Sequence, residues 1–496
     1  METKEIGFDN DLYIKLQSEK ILERIKLFNN KLYLEFGGKL FDDLHASRVL
    51  PGFDPNIKTK LLVKLKDQAE IVFCISAGDI EKYRVRADLG LSYDNEMLRI
   101  IDNLRTLGLY VSSIVITLFK GQPGALKFAQ KLEQHGEKVY FHKYTKGYPS
   151  EVDVIVSDEG YGANPYIETS RPLVIVTAPG PSSGKLATCL SQLYHDYKRG
   201  IKAGYAKFET FPVWNLPLKH PVNIAYEAAT ADLKDVNQID PFHFNEYGVL
   251  AINYNRDIEV FPVLKNILKK ITGKDIYKSP TEMGVNMVAS AITNENLVIE
   301  ASKREIIRRY FKAECDYKVG RATFDTVERT KYLMAELDLT PNYLKVVQES
   351  KKISKASGYP CVTIKLANGE IIYGKNKKII SASGAVVLNA LRTLAGMGDD
   401  FDIIADDILL PITKMRTDYL HYNSSLLTLD DVLIALAISS NSNEKAKKAI
   451  KKLSLLEGCE AHCTYILSQA EEQTLKRLGI NITCEPVFLN NKLFEN

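Results

Sequence analysis

Tryptophan occurs once in this chain, at position 214, and cysteine only seven times in 496 residues. The cysteines are odd in number and scattered from Cys74 to Cys484, which is not the pattern of a disulfide framework, so a reducing, cytosolic compartment is expected. A continuous apolar run of about 18 residues is also lacking, which leaves no membrane span to expect. The opening METKEIGFDNDLYIKL has no basic stretch leading into an apolar core, so no secretory signal is expected. Nor is there charge of one sign: Lys+Arg 65 against Asp+Glu 62 leaves a formal charge of +3. That is too little for a chain-wide field that would gather nucleic acid.

What is present is the balance of a globular protein, with 45% hydrophobic and 26% charged residues. The length suggests about three domains. Residues 11–29 carry apolar groups at helical spacing. Short apolar runs then alternate with helical patterns: LYLEF (32–36), EIVFCISA (70–77), VSSIVITLF (111–119), KVYFH (138–142), VDVIVSD (152–158) and PLVIVTAPG (172–180). Between them, 95–108 and 124–136 read as helices, each ending at a glycine stop. Continuous apolar strands with intervening helices indicate an α/β fold: a three-layer, mostly parallel sheet of P-loop or Rossmann-like type.

Residues 222–339 read as a helical middle subdomain. A smaller C-terminal α/β domain is expected over 340–496, after a P-loop-like domain over 1–221. Its opening, YPCVTIKLANGEIIYG, places Asn368-Gly369 between two alternating runs, a hairpin signal of the type I′ kind. Further on, Thr428 with Asp431 and Ser468 with Glu471 have the spacing of helix-capping pairs.

The strongest chemical lead is VIVTAPGPSSGKLATCLSQLYHDY (174–197), where a buried strand enters a Gly/Pro/Ser turn and then an amphipathic helix. Backbone N–H groups and the helix dipole favour an anion there. Gly180, Ser182, Ser183, Gly184 and Lys185 are the expected phosphate-binding residues, with Lys185 supplying the point charge. The turn departs from a Walker A loop at two places. Pro179 stands where a glycine belongs, and Leu186 where the magnesium-binding hydroxyl belongs. A turn with incidental glycines is the competing reading.

A second lead is the acidic pair Asp158 and Glu159, read as following a buried strand at the edge where open α/β sheets bind ligands. Carboxylates there are candidate Mg²⁺ ligands, or else an ordinary solvent-facing loop. A third is the proline-stiffened stretch 206–223, with Lys207, Glu209, Asn215, Lys219 and His220. Joined by Glu227, Asp232, Asp240 and His243, it forms either a substrate wall or a rigid connector. Lys207 and His220 are the candidate catalytic residues beside Lys185, His220 as an acid or base near neutral pH. Gly37-Gly38-Lys39 reads as a turn, and Cys459, His462, Cys463 and Cys484 lack a usual zinc spacing.

Three long segments, APGPSSGKLATCLSQLYHD, KFETFPVWNLPLKHPVNIAYEAATADL and GCEAHCTYILSQAEEQTLKRLGINITCEP, together resemble a bacterial family of proteins of about this length, catalogued as a domain of unknown function. The likeness covers essentially the whole chain. It implies an N-terminal P-loop-like domain, a helical middle and a C-terminal part with deaminase topology lacking its zinc site, and it carries over no catalytic residues.

The functional expectation is a cytoplasmic protein that binds ATP or GTP with Mg²⁺, or another small phosphorylated ligand. It is read as a phosphotransferase or ligase acting on a small metabolite. The alternatives are a regulatory protein that binds such a ligand without turnover, and an enzyme whose phosphate belongs to the substrate itself. Partners are expected to be small molecules rather than nucleic acid or membrane, with self-association into a homo-oligomer.

Overall fold

The computed structural model describes residues 6–86, 90–376, 379–398 and 403–490. The chain packs as two units, Met1–Ser302 and Lys303–Asn496. The first is built on seven strands: β1 (Leu32–Phe36), β2 (Ala69–Ser76), β3 (Val111–Thr117), β4 (Val139–Phe141), β5 (Leu173–Thr177), β6 (Gly204–Phe208) and β7 (Gly284–Val285). They lie in the order β7-β6-β1-β5-β2-β3-β4, and every neighbouring pair is parallel. β2, β3 and β5 are buried along their whole length, as expected of parallel strands covered on both faces.

The covering helices include α1 (Asn10–Leu27), α2 (Tyr93–Thr106), α3 (Pro123–Gln134), α4 (Lys185–Lys198), α5 (Pro221–Ala229) and α6 (Asn255–Thr272). Their apolar stripes explain the arrangement. Met97, Ile100, Ile101 and Leu104 of α2 recur at three- and four-residue intervals and are all buried. β5 returns to the centre of the sheet, between β1 and β2, after the chain has run out to β4. The loop after β5 therefore emerges at a crossing point of the strand order, on the carboxyl edge.

Three local readings are corrected. VDVIVSD is not a strand: Val152–Ile155 is a single helical turn in which only Ile155 is buried. Short apolar runs do not distinguish strand from buried helix, and here the chain doubles back so closely that a Cβ on Gly160 would lie 2.2 Å from the carbonyl oxygens of Val154 and Ile155. Within residues 222–339, read as helical, Gly284–Val285 instead adds the edge strand β7 beside β6. The middle segment also contains the antiparallel pair Asn237–Ile239 and Ile252–Tyr254. Residues 222–302 pack within the first unit.

The second unit holds β8 (Cys361–Lys365), β9 (Ile371–Lys375), β10 (Glu460–Cys463) and β11 (Asn481–Cys484) in the order β9-β8-β10-β11. Only β10 and β11 run parallel. The β8–β9 hairpin is present, but its turn is not type I′, which needs two positive φ angles. Gly369 has φ +86° and Asn368 is not among the positive-φ residues. The Gly369 N–H bonds Leu366 O at 2.9 Å and Leu366 N–H bonds Glu370 O at 2.8 Å, a type I turn closed by a left-handed glycine.

The helices of this unit include α7 (Lys345–Ser357), α8 (Ala382–Leu394), α9 (Leu429–Ser439) and α10 (Gln469–Arg477). Thr428 and Asp431 form the full reciprocal cap of α9. Ser468 caps α10 by accepting from Glu471 N–H. Glu471 does not reciprocate at the cap backbone; its buried carboxylate accepts from the Ser381 hydroxyl at 2.9 Å, from Ser383 and from Leu429 N–H at 3.3 Å.

Candidate functional site

The turn from Ala178 to Gly184 carries the chain from the end of β5 into α4. Its two glycines are fixed by their surroundings. Gly184 is the N-cap of α4 at φ +78°, and a Cβ there would lie 2.9 Å from Thr117 Cβ at the end of β3. Gly180 lies against Tyr93, whose ring would be 2.7 Å from an added Cβ. Ser182 is left-handed at φ +55°, and the Thr117 hydroxyl donates to Ser183 O at 2.8 Å. These constraints turn a row of amides toward the carboxyl edge. The N–H groups of Ser182 through Ala187 have no acceptor among the described residues, while Thr188 N–H begins the helical ladder on Gly184 O at 3.0 Å.

The hydroxyls divide. Ser183 is buried and donates to Gly180 O at 2.7 Å, so it braces the turn. Ser182 is exposed. Lys185 is half-buried, and its ammonium forms no hydrogen bond or ion pair with the described residues. It is felt by the thiols beneath α4. Burial pushes Cys74 up to about 12, with the Thr188 hydroxyl and the Lys185 charge pulling the other way. A lysine with no partner at the head of a helix whose amides are unused has the charge and geometry that favour an anion.

Beside it lies a half-buried ionic cluster. Val176 of β5, Glu35 of β1 and Lys207 of β6 are register partners across three adjacent strands. Strand spacing puts Lys207 about 10 Å from Val176. The three side chains share the sheet face covered by α4, since Tyr33, two residues before Glu35, donates its hydroxyl to Asp196 of α4 at 2.7 Å. Lys207 pairs with Glu209 at 3.0 Å and with Asp257 in the first turn of α6. Glu35 accepts from the Tyr205 hydroxyl at 2.8 Å. The side chains of Glu209, Asp257 and Lys207 are 11%, 21% and 24% exposed, so the cluster is held largely from water. Burial raises the Glu209 carboxyl above its usual range, against the pull of Lys207. Asp257 and Glu209 outweigh burial at Lys207 and hold its ammonium firmly protonated.

The other expected site residues lie elsewhere or are otherwise engaged. Asp158 bonds the Tyr194 hydroxyl at 2.8 Å and pairs with Lys198, both in the last turns of α4. At 1.5 Å rise per residue, that is about 13–20 Å along the helix from Lys185. Glu159 pairs with Lys146. Neither carboxylate stands at a strand end, and neither reaches the Lys185 turn. Among the described residues, no group of three or more His, Cys, Asp or Glu side chains is arranged to hold a metal ion.

His220 is the N-cap of α5. Its Nδ1 accepts from Val222 N–H at 3.3 Å, Nε2 lies 3.5 Å from Glu295, and burial lowers its pKa. Asp240 accepts from Phe242 N–H and the Thr281 hydroxyl, and His243 bonds Ser279. From the expected wall, Lys207 and Glu209 meet. In the second unit, His462 bonds Thr483 and Glu485.

Glu35 and Asp257 were not anticipated. The signal lay in the sequence: a single carboxylate in the buried run LYLEF and a single lysine in the buried run GYAKF face the same layer of a parallel sheet. An apolar strand rarely carries such a group unpaired. Asp257, in the first turn of a helix far along the chain, had no comparable signature.

Two family models together match nearly the whole chain: the N-terminal model of domain of unknown function DUF1846 over residues 6–338, and its C-terminal model over 342–494. Similar proteins include the UPF0371 protein of Clostridium tetani (strain Massachusetts / E88). It is 54% identical over 500 residues that cover 99% of each chain. UPF0371 proteins of Clostridium botulinum strains Alaska E43 and Eklund 17B are likewise 54% identical, with 99% of each chain covered.

Proposed function

The chain belongs to the family described as domain of unknown function DUF1846, and from that premise we propose that it is an enzyme acting on a small phosphorylated metabolite. The phosphate is held at the Lys185 turn, and the reacting part of the molecule extends over β1 toward Lys207 and Glu209. The observation that carries this reading is the pairing of two features on one sheet face. A half-buried lysine without a partner heads a helix with unused amides, and a half-buried lysine–carboxylate cluster stands on the two strands next to β5, the strand that feeds the turn.

The roles follow from charge. Lys185 and the amides of residues 182–187 neutralise the phosphate. Glu209, whose carboxyl burial holds in a more readily protonated state, exchanges a proton with the substrate, and Lys207 stabilises negative charge that develops beside it. Nucleotide-dependent phosphotransfer with ATP or GTP and Mg²⁺ has less support. Leu186 replaces the magnesium-binding hydroxyl, and Asp158 and Glu159 are ion-paired at the far end of α4. A phosphate belonging to the substrate needs neither feature.

A thermal-shift screen of phosphorylated metabolites and nucleotides, with and without Mg²⁺, tests the reading. A ligand at about 100 times its Kd stabilises by roughly 2.7 kcal/mol. The expected result is a shift with a sugar or carboxylic-acid phosphate that is independent of Mg²⁺, absent in Lys185→Ala, and accompanied by chemical change on incubation. A shift only with nucleoside triphosphate and Mg²⁺ would replace this reading with phosphotransfer. A shift without turnover would make the protein a sensor, and no shift with any phosphorylated ligand would refute phosphate binding.

A further inference from the structure

In the second unit, α9 and α10 lie side by side, with their N-terminal turns tied together. Leu429 N–H donates to Glu471 Oε1 at 3.3 Å, and the Thr474 hydroxyl donates to Asp430 Oδ1 at 2.7 Å. A groove of about 520 Å³ runs between them. α9 lines it with Asp430, Leu433, Ile434 and Ala437, one complete helical face at spacing i, i+3, i+4, i+7. α10 lines the other wall at the same spacing, from Ala470 to Arg477.

α9 is the unusual element. Its sequence LDDVLIALAIS carries charge only at Asp430 and Asp431, in the first turn. One face, with Leu429, Val432, Ala435 and Leu436, is buried in the unit's own core. The other is apolar as well and lies open: Ile434 is 58% exposed and Ile438, one turn on, 51%. A helix that is apolar all round is normally covered all round.

The charges of the groove indicate the cover. Asp430 stands at its N-terminal end. Arg477 stands a turn beyond Thr474 and has no hydrogen bond or ion pair with the described residues. A half-turn about an axis through the groove exchanges these positions, setting an acid against a base on both sides of a shared apolar centre. Such a patch is complementary to itself. We propose that the α9–α10 groove is the contact surface between two copies of this chain. Ile434 and Ile438 meet their counterparts at the centre, and Asp430 of each copy pairs with Arg477 of the other. Two short helix faces make up the contact, so the association is reversible and concentration-dependent.

Sedimentation velocity of the full chain over a hundredfold concentration range tests this, with circular dichroism to verify folding of each variant. The expected result is a monomer–dimer equilibrium in the wild type and a monomer at all concentrations in Ile434→Asp. Arg477→Glu should weaken the dimer at least tenfold, and the swap Asp430→Arg/Arg477→Glu should regain most of that loss. Ile434 is exposed, so its variant keeps the fold. A wild type that stays monomeric throughout overturns the proposal, as does a dimer that survives Ile434→Asp or a charge swap that restores nothing.

Discussion

Replacing Lys207 with methionine removes the cation that pairs Glu209 and Asp257 and keeps the length of the side chain. Glu209 then loses a partner at 3.0 Å, and Asp257 loses its direct ion pair. All three side chains are less than a quarter exposed, so water screens the loss only in part. Removing one partner of a fully buried pair costs about 3–5 kcal/mol, because the remaining charge is left uncompensated, and partial access of water to these side chains reduces the cost to about 2–3 kcal/mol. For a cooperative unit of this size the unfolding entropy is about 0.6 kcal/mol/K, so the melting temperature should fall by about 3–5 °C at pH 7.5.

The pH dependence separates this mechanism from lost packing. Folding already raises the Glu209 carboxyl above its usual range, so its ionised form opposes the folded state. Without Lys207 that opposition grows at neutral pH, and it is relieved as acid protonates the carboxyl. The variant should therefore recover part of its deficit between pH 7.5 and pH 5, and Lys207→Met/Glu209→Gln should recover part of it at pH 7.5. Differential scanning calorimetry reads both. A melting temperature within 1 °C of wild type, or a deficit independent of pH in both variants, would refute the account of the cluster.

Other substitutions test neighbouring steps. Gly184→Ala forces a left-handed alanine and drives a methyl against Thr117, which should cost about 2–4 kcal/mol in urea unfolding and abolish the response to phosphorylated ligand. His142 is 3% exposed and its pKa is lowered by burial to about 4, so the stability it contributes is full above about 6.5 and is lost as pH falls through 4. The loss should reach about 3 kcal/mol and flatten in His142→Gln. Asp158→Ala/Glu159→Ala breaks two exposed ion pairs far from the turn. It should leave stability nearly unchanged and ligand shifts intact, with or without Mg²⁺.

The sheet was legible because parallel strands buried on both faces are continuous apolar runs, and five of the six runs read as strands are strands. The sixth, 152–158, failed because four apolar residues also make one turn of helix, and nothing local shows whether the sheet edge has a place for them. β6 is hard to read because GYAKF runs straight into the proline-stiffened stretch 206–223, yet its lysine is the centre of the cluster. The Lys185 turn was readable from strand, glycine and helix in sequence. The cluster was not, because Glu35, Lys207, Glu209 and Asp257 are brought together only by the pairing of β6 beside β1 and by α6 packing beside α4. Pairing Asp158 with Lys185 looked natural at 27 positions apart and fails because a helix of 14 residues separates them in space.

The central claim is that the Lys185 turn holds a phosphate, and ³¹P NMR titration with inorganic pyrophosphate in the absence of divalent cations tests it most directly. The account predicts saturable line broadening with wild type, weakened at least tenfold in Lys185→Met and in Gly184→Ala and unchanged in Asp158→Ala. Equal broadening by wild type and Lys185→Met, or none with the wild type, would contradict it.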